Sequence, residues 1–302
     1  METTENTAFE PERHLAFDSS HPSVPAAYLA GALLLTMFGL EPILIAISLA
    51  GALALSLCAR GVRATRRTLA WLVPMALLIT LVNPLFSASG ATLVLQVGRL
   101  KVRAESLAFG ACMGGLFCAT VLWCESAVRV LTHDRLLALA GGAVPTVALM
   151  ASMTSRLVPQ VLTRFRDVTD ARAAATVAGP SGVAATLRAR VADVARTSGV
   201  LLAWSLSDSL DTADSMRARG WASTRARTSY RPYRMTAHDA LSLAGVLVLL
   251  AVAAWCAWSI AVPFHFYPRL SPPAALWRYL PCAAYVAIPT ILHLKEALAW
   301  RD

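Results

Sequence analysis

Long uncharged stretches alternate along this chain with short arginine-rich ones, and that alternation sets the predicted elements. Residues 26–58 carry one charge, Glu41, in 33 positions. One helix of that length would rise about 50 Å, well beyond a hydrocarbon core of about 30 Å. Gly39 and Pro42 offer a break, so the pattern predicts two short helices in a tight hairpin. Arg60, Arg63, Arg66 and Arg67 follow within eight residues. Residues 68–98 are uncharged again, and Asn83-Pro84 with a turn-forming 87–90 leaves one span at 68–86. A short basic connection at 98–103 precedes a span at 104–128, with Glu105 near one end and Glu125 near the other. Residues 136–155 are uncharged but interrupted by Gly141, Gly142 and Pro145, which predicts a broken or partly inserted helix. Two further spans, 240–262 and 279–294, flank a link rich in proline and aromatics, suited to the headgroup level of a bilayer.

Between the two apolar blocks the pattern changes. Residues 156–234 hold 13 arginines, no lysine and six aspartates, a local charge of +7. Residues 157–178 and 187–221 are rich in Ala, Leu, Arg and Val, and Gly179-Pro180-Ser181-Gly182 separates them. This predicts two long helices with a stop and restart between them.

Composition agrees with the pattern. The 302 residues are 57% hydrophobic and 15% charged, with a mean hydropathy of +0.57. Soluble domains carry about 25% charge, and a single core at this length cannot hide so much apolar surface. Disordered, fibrous and disulfide-stapled classes are excluded. The expected fold is all-α, a polytopic membrane helical bundle with long cytoplasmic coupling helices, in the cell (plasma) membrane. The expected organisation is a polar tail at 1–25, with acidic residues where a signal peptide is basic, a first transmembrane block at 26–155, an arginine-rich coupling region at 156–235 and a C-terminal transmembrane block at 236–302. Most of the net charge of +9 lies in the insert, and the positive-inside rule puts that region in the cytoplasm. Parity then demands that one segment between 60–67 and the insert does not cross fully, and the interrupted 136–155 is the choice. The six cysteines lie in or beside apolar runs without metal-ligand spacing.

The strongest local feature is the run from Ser205 to Trp221. On a helix, Asp211, Asp214, Ser215 and Ala218 share one side, and Asp214 can pair with Arg217 at i+3. Gly220 stands where a helix C-terminus wants a left-handed residue, and Trp221 can close the cap's apolar contact. Ala218 lets a partner approach the backbone. Arg219 projects beside the bend, a forked cation for carboxylates or carbonyls. The plainer alternative is a cytoplasmic helix whose last turn carries arginines to complement its dipole. Nucleic-acid binding is not expected, since aromatics are scattered and no motif occurs. Phosphate-loop, GxSxG and HExxH motifs are absent, and the six histidines show no ligand pattern. No cofactor or metal is expected. Glu125 is expected to pair with Arg129 at the membrane edge.

These residues resemble the T component of an energy-coupling factor transporter. Ala16-Phe17-Asp18-Ser19-Ser20-His21-Pro22 resembles that family's lead into its first span, and Asn83-Pro84-Leu85-Phe86-Ser87, followed by Gly90 to Leu95, its Asn-Pro-Leu-Phe loop. Asp134-Arg135-Leu136-Leu137 with Arg156-Leu157-Val158-Pro159 resembles its short membrane segment. Ala218-Arg219-Gly220-Trp221, followed by Arg227-Thr228, resembles its second Ala-Arg-Gly motif, and Ala171-Arg172-Ala173 the first. Alanine replaces glycine at 173, so that helix is expected to run on toward Gly179. The resemblance implies a non-catalytic scaffold for uptake of a vitamin or transition metal. Two ABC ATPase subunits would dock on the coupling helices at Arg172 and Arg219, and a substrate-binding S component would sit beside the chain in the lipid bilayer. The alternative is an integral membrane enzyme acting on an anionic lipid at the cytoplasmic face.

Overall fold

The computed structural model describes residues 21–86, 92–97, 100–175, 187–221, 223, 235–267, 271–272 and 274–299. The expected tail at 1–20, the turn at 87–90, the stop at 179–182 and Arg227-Thr228 lie outside the described residues. The chain divides into two compact units, residues 1–136 with 233–302, and residues 137–232.

The first unit is a helical bundle. Helix α1 (Ser23–Phe38) ends at Gly39, whose N–H closes on the Leu35 carbonyl at 3.1 Å. Helix α2 (Pro42–Phe86) starts three residues later, so the break falls where Gly39 and Pro42 predicted it. Glu41 holds this corner. It is 1% exposed, its carboxylate accepts the Leu44 N–H at 3.3 Å, and the Tyr279 hydroxyl donates to it. A carboxyl group is tolerated in that setting because its oxygens are bonded.

Helix α2 is two arms in one element. Gly61 has φ +83° and ψ 165°, a conformation essentially closed to residues with a Cβ, and it reverses the chain in one residue. Across the reversal the Ser56 and Thr65 hydroxyls meet at 3.0 Å. Helix α3 (Ala104–Val130) shows the arms' directions. Along the first arm, Ser48 Oγ accepts from Trp123 Nε1 at 3.0 Å and Arg60 donates to Glu125. Along the second, Thr68 bonds Glu125, the Leu72 carbonyl faces Cys118, and Asn83 Nδ2 donates to the Ser106 carbonyl at 2.9 Å. The first arm therefore runs with α3 and the second against it. Small residues let the second arm approach closely. A Cβ at Gly110 would lie 2.8 Å from the Thr80 carbonyl oxygen, and one at Gly114 2.8 Å from that of Ala76.

Between α2 and α3 the sequence predicted a basic connection, and the structure has an antiparallel pair instead, β1 (Leu93–Val97) and β2 (Leu100–Arg103). Leu and Val dominate β1. Glu105, 3% exposed, clamps the base of the pair by accepting from the Thr92 N–H at 3.1 Å and the Thr92 hydroxyl at 2.9 Å.

Helix α7 (Ala237–Ala261) opens on a reciprocal cap between Thr236 and Asp239. Asp239 also accepts the His21 N–H at 3.2 Å, which ties the start of α7 to the start of α1. A short 3-10 turn (Leu276–Tyr279) leads into α8 (Leu280–Ala299). The core gathers on Tyr28, Trp123 and Tyr285. Tyr28 stacks on Tyr285 at 5.1 Å and meets Trp123 edge-on at 6.1 Å. The tyrosine hydroxyls bond the Val286 and Tyr28 carbonyls, so both rings bury without an orphan polar atom.

Among the described residues three helices, α2, α3 and α7, are long and apolar enough to cross a membrane. The start of α1, the reversal at Gly61, the end of α3 and the start of α7 all lie at one end of the bundle. The chain leaves this unit after α3 and re-enters it before α7 at that end.

The second unit contains most of α4 (His133–Ala143), then α5 (Pro145–Ala175) and α6 (Leu187–Ala218). The predicted interruption of 136–155 is a break at Val144, and Pro145 then begins a new helix, where its missing N–H costs nothing. The first long helix expected at 157–178 therefore starts twelve residues earlier. Pro159 does not stop it, and Thr163 Oγ1 donates to the Pro159 carbonyl at 3.0 Å.

Candidate functional site: the helix ends of the arginine-rich insert

Helices α5 and α6 pack against each other through few buried residues. Arg164 lies flat over the Trp204 ring, 3.7 Å from its centroid. A cleft of about 470 Å³ opens beside this stack, lined by Gln160, Thr163, Asp167 and Asp208 among others. A guanidinium this close to an aromatic face is attracted by the ring's negative face, a contact arginine makes more often than lysine.

The end of α6 is built as its residues require. The Trp221 N–H bonds the Met216 carbonyl at 3.0 Å, and the Gly220 N–H bonds the Arg217 carbonyl at 2.9 Å. Gly220 sits at φ +79°. These two bonds and one left-handed residue are a complete Schellman cap, with Gly220 in the position that avoids a Cβ clash. Asp214 and Arg217 form the expected i+3 pair at 3.7 Å, with both side chains largely exposed. Such a pair orders the last turn but adds little stability. Ala218 and Arg219 are exposed, and the Arg219 side chain has no partner among the described residues. Only Met216 is half-buried in this turn. The result is a rigid helix terminus that presents a forked cation beside a small residue. Trp221 is 41% exposed.

The other motif is less fully placed. The backbones of Ala171, Arg172 and Ala173 are helical in the last turns of α5, and Ala171 is exposed. The side chains of Arg172 and Ala173, and the expected run toward Gly179, lie outside what is described. The helix does pass through position 173 without ending there, as the alanine in place of glycine implied.

Glu41, Glu105 and Glu125 are each engaged in a local clamp. Glu41 binds Tyr279, and Glu105 binds Thr92. Glu125 corrects the sequence expectation. Its partner is Arg60, not Arg129, and Thr68 Oγ1 bonds both sides of the pair, accepting from Arg60 at 3.2 Å and donating to Glu125 at 3.3 Å. The reason is which face of α3 meets α2. Glu125 turns toward the corner before Gly61, while Arg129 is exposed in the last turn of α3, where its charge complements the helix dipole. Sequence periodicity ranks an i+4 neighbour first, and only the reversal at Gly61 brings Arg60 within reach. Among the described residues no three His, Cys, Asp or Glu side chains cluster as metal ligands.

No protein-family model matches the chain, and no curated protein matches it.

Proposed function

We propose that this chain is the non-catalytic scaffold and coupling subunit of an energy-coupling factor importer. In this reading the insert transmits ATP-driven motion of two ABC ATPase subunits to a substrate-binding S component in the membrane. The carried cargo is a vitamin or a transition metal. The end of α6 carries the proposal. A Schellman cap on Gly220 holds Arg219 at an exposed, rigid terminus with no internal partner among the described residues, as a docking point for another protein requires. Arg172, late in α5, is the second dock of the pair.

Two further observations support the reading. The bundle gives up and recovers the chain at the same end, which is compatible with an insert of 96 residues, 137–232, that stays on one side of the membrane. By its arginine content that side is the cytoplasm. The carboxylates that a membrane enzyme would need for acid-base chemistry are engaged at helix corners, which weighs against the rival reading of an enzyme acting on an anionic lipid.

The test is affinity purification of the tagged chain from its native membrane. Two ABC ATPases and a small membrane protein should accompany the wild type. The double variant Arg172→Glu with Arg219→Glu should reach the membrane at normal levels and lose the ATPases. Undiminished co-purification of the ATPases with that variant would overturn the coupling role.

A further inference from the structure

The reversal at Gly61 leaves three arginines unanswered. Arg60 is the member of the group that the fold satisfies, through Glu125 and Thr68. Arg63, Arg66 and Arg67 are all exposed, and none has a hydrogen bond or ion pair among the described residues. They stand at i, i+3 and i+4, so they share one face of the second arm of α2. They also occupy its first turns. A helix N-terminus carries about half a positive charge, which disfavours cations there. Three uncompensated cations at such a position repel one another and the helix end alike, and an anion would relieve both.

The surroundings say what kind of anion. A cleft of about 470 Å³ is lined by these three arginines with Val62 and Ala70. One turn further, Trp71 is 49% exposed, and Val73, Met75, Leu77, Leu78 and Leu81 are exposed after it. Arg63, Arg67, Trp71 and Met75 follow one another at i+4 intervals down one side of the arm. Charged heads, then an indole, then bare aliphatic side chains is the order of a bilayer leaflet read inward from its surface. Arginine forks match phosphate oxygens, and the apolar stripe below them matches an acyl chain.

We propose that Arg63, Arg66 and Arg67 form a binding site for the headgroup of an anionic phospholipid, with an acyl chain laid along Trp71 and Met75. A free phosphate shares the headgroup chemistry but uses none of the apolar stripe, so the two sources separate experimentally.

The test uses the full chain, purified in a neutral detergent and examined by native mass spectrometry. Phosphatidylglycerol is titrated against phosphatidylcholine of the same acyl chains. The wild type should retain the anionic lipid preferentially. The triple variant Arg63→Gln, Arg66→Gln, Arg67→Gln should lose that preference, with apparent affinity falling roughly a hundredfold over three charges. The triple Lys variant, which keeps the charge, should retain most of it. Inorganic phosphate at millimolar concentration should fail to displace the lipid. Equal retention of both lipids by the wild type, full displacement by phosphate, or an unchanged preference in the Gln variant would each overturn the proposal. If the Gln variant does not fold, the wild-type lipid discrimination and the phosphate competition decide the matter by themselves.

Discussion

The two compact units hold together by different means. In the bundle, Tyr28, Trp123 and Tyr285 are fully buried, and each polar end within that trio has a partner. In the insert, the described residues below one-tenth exposure are few and small or aliphatic, Ala148, Thr197 and Leu201. Its helices stand on propensity, on caps and on one cation-π stack, while Val200, Leu202, Leu206 and Leu210 remain exposed. A bundle packed in this way holds one shape. A pair of helices with so little shared core gains from a second surface, since most helical stability in proteins comes from packing an apolar face. The contrast teaches where rigidity and compliance have been divided in this chain.

The contrast breaks first at Trp123. Trp123→Ala removes an indole with no exposed surface, its bond to Ser48 and its edge contact with Tyr28. We expect a loss of about 3–5 kcal/mol, read as a large drop in thermal unfolding temperature in detergent. The second break is at the reversal. Gly61→Ala forces a Cβ into a conformation costing about 1–3 kcal/mol. It should lower the same transition by less than Trp123→Ala, and it should weaken the Arg60 and Glu125 contact that depends on the turn. The smallest effect belongs to the insert. Trp204→Ala removes an aromatic face from Arg164 and should cost about 0.5–1 kcal/mol. Hydrogen exchange should rise in α5 and α6 while the bundle's main transition stays in place. A shift of the main transition as large as that of Trp123→Ala would erase the distinction between the units.

Much of this was legible in the sequence. The break at Gly39 and Pro42, the interruption before Pro145 and the cap on Gly220 are local events governed by single residues with strong backbone preferences, and the structure has all three. The exposed pair of Asp214 and Arg217 is local too. What stayed hidden depends on tertiary neighbours. Glu125 meets Arg60 across 65 positions of sequence, and no period along the chain points there. Strand β1 fell at the end of an uncharged stretch, where a run of Leu and Val gives no contrast between faces, and the four residues of β2, with Lys101 and Arg103 among them, are too short a run to stand out from a basic connection. At the candidate site, sequence supplied the exposed arginine and its glycine. The six-to-one and five-to-two hydrogen bonds that make the terminus rigid required coordinates.

With no loop between them, the two arms of α2 are tied at the single residue Gly61, so neither can shift along its axis without the other. The lock on that turn, Glu125, stands 39 positions beyond the end of α2 in the sequence. The corner is therefore completed from a distant segment, and a change in α3 reaches it as directly as a change at Gly61 itself.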